Sequence, residues 1–162
     1  PALTNLTITG LEIDDISGLS ALSRLTTLNI SGAANVTDIA PLGRLLGLKT
    51  LNLSGCVKVK DLTPLSRLTG LTNLNLSGCE GVSDVGPLEK TSKTLVTLNI
   101  SGTSTGYIMP LARMPRLKTL DLRRCEKISA DDLDWLAKRL AECKVLTDAP
   151  AKEPAAASPG GW

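Results

Sequence analysis

The stretch Leu48-Lys-Thr-Leu51-Asn-Leu53-Ser-Gly55-Cys56-Val-Lys-Val59-Lys-Asp61-Leu62-Thr-Pro64-Leu65 holds two short signals in sequence. In its first half Leu51 and Leu53 alternate with Thr50, Asn52 and Ser54, the period-2 pattern of a strand with one buried face. Gly55 then allows a sharp turn out of the strand. In the second half Asp61 suits the N-cap of a short helical turn, and Pro64 suits its first residues. Only about ten residues remain for the return to the next strand, so extended chain with 3-10 turns is expected there and not a full helix.

Working outward, the same pattern recurs along the chain. Units open at Leu3, Leu25, Leu48, Leu71, Leu95 and Leu117. Gly follows the strand at Gly10, Gly32, Gly55, Gly78 and Gly102, whereas the sixth unit has Arg124. Val36-Thr-Asp38-Ile-Ala-Pro41-Leu42 repeats the return segment, and Asp84 and Pro87 mark it again. A unit of this length cannot close a core alone. Its Leu residues become buried only when the next unit stacks on it, giving a parallel sheet with strands about 4.8 Å apart.

Six Leu-x-x-Leu units in phase, with Gly and Pro also in phase, resemble the leucine-rich repeat over residues 3 to about 146. The Asp-Ile-x-Pro-Leu segment is similar to the 22-residue class of the protein-phosphatase-1 regulator and bacterial internalins. The Cys after the strand, and Cys125-Glu-Lys-Ile-Ser, are similar to the cysteine-containing class of F-box proteins. The resemblance implies an α/β, right-handed leucine-rich-repeat solenoid with short parallel strands on the concave face and extended or 3-10 returns. It also implies a protein-binding role in regulation or assembly.

The last unit is different. Ser129-Ala-Asp-Asp132 has the form of a capping box, and Leu133, Leu136 and Leu140 follow at helical spacing. One C-terminal α-helix from about 130 to 142 is expected, closing the stack as terminal repeats must. The solenoid is placed at 1–146 and a Pro/Ala/Gly-rich tail or linker at 147–162, with Trp162 an isolated aromatic. The opening Pro1-Ala2-Leu3 carries no targeting signature, so the chain reads as a piece of a longer protein. Its first unit would leave an open apolar edge for further repeats or another subunit to cover.

Composition narrows the function. The 162 residues include 30 Leu and no Phe or His. Without His, Ser-His-Asp and Cys-His nucleophile systems and every His-ligated metal site are excluded. The net charge of +2 and the 2% aromatic content give no reason to expect nucleic acid. No apolar run is long enough for a membrane span, and no enzyme activity, cofactor or metal is expected.

Cys56, Cys79 and Cys125 stand at the ninth position of their units, where a small side chain should turn inward. Parallel side chains are poor disulfide geometry, so free thiols and a reducing, cytoplasmic setting are expected. Six Asn-x-(Ser/Thr) sequons begin at Asn5, Asn29, Asn35, Asn52, Asn75 and Asn99. Glycans on adjacent strands would collide, which argues against a eukaryotic secreted protein.

Two surfaces emerge as candidates for a protein partner. The first is the strand face, with the row Asn29, Asn52, Asn75 and Asn99, and a charged corner of Lys118, Asp121, Arg123 and Arg124. The second is a basic row on the returns, Arg44, Arg67, Lys90 and Arg113. Tyr107 joins the candidates because it replaces the Asp of other units in an irregular fifth repeat, and Tyr is enriched at interfaces. The reading is an intracellular scaffold or regulatory subunit. The alternative is a cell-surface adhesin of the internalin kind.

Overall fold

The computed structural model describes residues 3–10, 12–91 and 93–148. Seven three-residue strands form one parallel sheet in chain order. They are β1 (Asn5–Thr7), β2 (Thr27–Asn29), β3 (Thr50–Asn52), β4 (Asn73–Asn75), β5 (Thr97–Asn99), β6 (Thr119–Asp121) and β7 (Lys144–Leu146). The register joins equivalent residues of successive units: Leu28 to Leu51, Leu51 to Leu74, Leu74 to Leu98 and Leu98 to Leu120. All five of these Leu are essentially sealed from solvent. Sequence order thus becomes spatial order, the one-dimensional stacking that an in-phase repeat requires.

The returns hold 3-10 turns at Ser17–Ala21, Ala40–Arg44, Thr63–Arg67, Gly86–Thr91 and Met109–Arg113. The row of aspartates acts one step earlier than expected. Ile39 and Leu62, not Asp38 and Asp61, occupy the N-cap positions. The Asp38, Asp61 and Asp84 carboxylates instead accept from the backbone N–H two residues on, each at 2.7 Å. This is an Asx-type turn, which bends the chain just before the 3-10 turn starts. In the 3-10 turns themselves, Leu42, Leu65 and Leu111 point inward and are fully buried.

Helix α1 spans Ala130–Arg139, three residues shorter than expected. Ser129 Oγ caps it by accepting from Asp132 N. Leu140 leaves helical geometry at φ −104° and ψ 47°. The chain then turns into β7, an element the repeat pattern did not signal, which pairs with β6 along Thr119–Lys144, Leu120–Val145 and Asp121–Leu146. Cys143, outside the repeat in sequence, leads into this seventh rung and is half-buried. Most of the proposed tail from 147 onward, Trp162 included, lies outside the described residues.

The ninth-position side chains do turn inward. Cys56, Cys79 and Cys125 are buried, and each thiol donates to a backbone carbonyl of the unit before: Ile30, Leu53 and Ile100. Thr103 stands at the same position, but its hydroxyl donates within its own unit, to Ile100 O at 2.8 Å. Burial pushes the Cys79 thiol up to about 12, and the nearby Cys56 adds to the shift. A thiol held protonated in an apolar core is a packing group, not a nucleophile.

Candidate binding surfaces at the C-terminal end

The strand face is built from side chains with internal duties. Asn29, Asn52, Asn75 and Asn99 each accept, through the side-chain carbonyl, the N–H of the serine two residues on, at 2.9–3.0 Å. Each asparagine therefore fixes the turn that ends its own strand. The row is present as the sequence indicated, but its carbonyl oxygens are occupied by the chain itself. In the sixth unit Asp121 takes this role, accepting from Arg123 N at 3.1 Å.

Asp121 also receives the Arg123 guanidinium, with Nε to Oδ1 at 3.0 Å and Nη2 to Oδ2 at 2.6 Å. The Arg123 hydrogen bonds hold the Asp121 carboxyl below the usual aspartate range, against a smaller opposing effect of burial. Only 4% of Asp121 is exposed, so a ligand would meet Arg123 and not the carboxylate. Lys118, placed by sequence in the same corner, pairs instead with Glu142 at 3.2 Å. The pair is well exposed, so it adds little stability.

Arg124 stands where five units have glycine. Gly10, Gly32, Gly55, Gly78 and Gly102 all have φ between 67° and 77°, and Arg124 has φ 60°. This left-handed conformation is unfavourable for a residue with a Cβ, by roughly 1–2 kcal/mol. The Arg124 N–H donates to the Asp148 carboxylate. Its neighbourhood borders a cleft of about 250 Å³ with Glu80, Ser104, Glu126 and Lys127 among the lining residues. That lining is polar and of mixed charge.

The return side presents a different surface. Tyr107 lies beside Asp84 in a parallel bridge, which confirms that it takes the aspartate's place in the fifth unit. It is 64% exposed, and Met109, which opens the last 3-10 turn, is 43% exposed. Helix α1 packs on that turn and brings Trp135 and Arg139, one helical turn apart, to the same place. The Arg139 guanidinium carbon sits 4.9 Å from the Trp135 ring centroid, within cation–π range. Tyr107, Met109, Pro110, Arg113, Trp135 and Arg139 line a depression of about 220 Å³.

Arg113, a member of the basic return row, donates from Nη1 to Glu89 Oε1 at 2.7 Å across the neighbouring units. The other members, Arg44, Arg67 and Lys90, are exposed near the ends of their own 3-10 turns. Thus the structure brings together two residues the sequence had placed in separate groups, Tyr107 and Arg113. It adds Trp135, Arg139 and Met109, which were missed because their helical or core-like spacing gave no sign of exposure.

Comparison with known proteins agrees with the repeat. Residues 46–90 match the family described as Leucine Rich repeats (2 copies). Residues 46–90 thus carry leucine-rich repeats, and the described residues share the fold of a leucine-rich-repeat solenoid. Its solenoid is similar to an internalin from Listeria monocytogenes, with TM-score 0.71 and 24% identity over 89% of this chain and 47% of that one. It is also similar to internalin C2 from the same species, with TM-score 0.73 and 23% identity over 90% of this chain and 71% of that one. A leucine-rich-repeat protein of Leptospira interrogans gives TM-score 0.69 and 18% identity over 88% and 36%. The solenoid thus spans about half the length of the first of these structures. No curated protein sequence matches it.

Proposed function

We propose that this solenoid is a protein-binding module that acts by presenting surfaces to a partner. The observation that carries the reading is the grouping of exposed Tyr107 and Arg139 with half-buried Trp135 around one depression, in a chain otherwise almost without aromatics. Trp, Tyr and Arg are the residues in which interface energy concentrates. The depressions found are shallow and open, and the described residues contain no cluster of three metal-ligating side chains. A platform of this kind supports recognition and gives substrate chemistry little enclosure.

The finer reading is an intracellular scaffold or regulatory subunit within a larger complex. The free thiols of Cys56, Cys79, Cys125 and Cys143 support it. So does the spacing of the sequon asparagines, because Asn29, Asn52, Asn75 and Asn99 are direct neighbours on paired strands. A second reading, a surface adhesin of the internalin kind, draws on the fold shared with the two Listeria structures. No helix among the described residues is long and apolar enough to cross a membrane, which is compatible with either.

The test is affinity capture of the intact protein from extract of its own cells, with crosslinking mass spectrometry. Recovery of a defined protein crosslinked to the chain is the expected result. Recovery of nucleic acid alone, or of no specific protein, would contradict the binding-module reading.

A further inference from the structure

The Tyr107 depression continues into a second one. Ala112 and Arg139 line both, and the second, of about 380 Å³, runs past Pro115 and Leu140 towards Lys118. The first is below the roughly 300–1,000 Å³ of sites that enclose small molecules, and it is open on one side. A single apolar side chain suits it better than a whole cofactor. Met109, Pro110 and Trp135 are among its apolar lining, and Arg113 and Arg139 are its charged lining.

The charges at this rim do not cancel. Glu89 occupies one guanidinium nitrogen of Arg113, whose side chain is 73% exposed. Arg139 has no carboxylate partner among the described residues and lies on Trp135. Lys138 and Arg139 both sit in the last turn of α1; of its three aspartates, Asp131 and Asp132 are in the first turn, and Asp134 lies one turn before Lys138. Asp84, beside Tyr107, already accepts from Gly86 N. An incoming carboxylate would thus meet Arg139, stacked and held in place, between the two depressions.

We propose that this groove binds a short acidic segment of a partner protein. An apolar side chain of that segment fills the Tyr107–Trp135 depression, and an adjacent Asp or Glu pairs with Arg139. The proposal rests on the protein-binding reading and assigns it a surface and a ligand chemistry. A planar guanidinium already stacked on an aromatic ring loses little freedom on pairing, which favours a carboxylate there. The strand face offers no comparable combination, since its asparagines are engaged in turns and it lacks aromatics.

The test uses the full chain as bait for a phage-displayed library of random ten-residue peptides. Selected peptides should carry an apolar residue within three positions of an Asp or Glu. The affinity of the best peptide should fall at least ten-fold in Tyr107→Ser and in Arg139→Glu, and stay unchanged in Arg44→Glu. A peptide with its acids replaced by Lys should regain binding to Arg139→Glu, a result that misfolding would not produce. Selected peptides without acids, or equal binding by Tyr107→Ser, would overturn the proposal. So would a ten-fold gain in affinity on truncation after Asp148, which would assign the groove to the chain's own tail. If these tests fail while capture still yields a crosslinked protein, only the surface assignment falls.

Discussion

The middle and the C-terminal units differ in how faithfully they keep the repeat. In the units that start at Leu25, Leu48 and Leu71, the inward positions are filled by Leu, Val, Ile, Ala33, Cys56 and Cys79, with Thr91 a hydrogen-bonded polar exception, the strand ends in Asn, and the turn is Gly. From the fifth unit onward the departures gather. Thr105 stands where Val36, Val59 and Val82 stand, Tyr107 replaces Asp, Asp121 replaces Asn, and Arg124 replaces Gly. Several of these exchanges work against stability. Thr105 is fully buried, and its hydroxyl finds no hydrogen-bond partner. Arg124 holds a backbone conformation that suits glycine. The surface that gathers Tyr107, Trp135 and Arg139, where binding is proposed, lies at this less regular end.

That contrast can be broken or sharpened by mutation. The largest effect should come from the regular core. Leu74→Ala, at a position 1% exposed and held between Leu51 and Leu98, should cost about 2–5 kcal/mol in urea denaturation. Leu133→Ala, on the half-buried face of α1, should cost distinctly less. The unpartnered hydroxyl comes next. Thr105→Val should stabilise by about 1–3 kcal/mol, because a methyl has no hydrogen bond to lose, and Val82→Thr should destabilise by a similar amount.

The turn row provides a third pair. Arg124→Gly should stabilise by roughly 1 kcal/mol and Gly55→Ala should destabilise by about as much, since both positions have positive φ. The bond to Asp148 comes from the residue-124 backbone N–H, which glycine keeps, so an unchanged Tm in Arg124→Gly would show that the positive φ itself costs little. The smallest effect concerns pH. The Asp121 carboxyl has its proton affinity lowered in the folded state. Its contribution to stability is therefore complete above the ordinary aspartate value of 3.8 and is lost as pH falls below it towards the depressed value. Asp121→Asn should flatten acid denaturation in that range and leave neutral-pH behaviour of the other units intact.

Much of the fold was legible because identical residues recur in phase. The Leu positions, the Gly turns and the inward Cys could be assigned without coordinates, since each is the same local solution stacked repeatedly. The aspartate row was displaced by one residue because an Asx turn and an N-cap use the same side chain at almost the same place. β7 was not legible at all. Lys144-Val145-Leu146 is too short to show a period, and it becomes a strand only because β6 offers it an open edge. The candidate site was half legible. Tyr107 and Arg113 were marked by breaking or keeping the repeat, but Trp135 and Arg139 lie on a helix whose spacing signalled only a core. Their convergence depends on how α1 packs against the last 3-10 turn, a tertiary contact that no local pattern encodes.

The most direct measurement is the affinity of the captured partner for three forms of the full chain. These are the unaltered protein, the corner variant Tyr107→Ser with Arg139→Glu, and a strand-face variant with Thr50→Lys and Thr97→Lys. Both threonines are on the outward side of the sheet, on β3 and β5. The account predicts that the corner variant loses at least ten-fold in affinity while the strand-face variant binds as the unaltered chain does. Loss confined to the strand-face variant would contradict it and return the binding surface to the regular units.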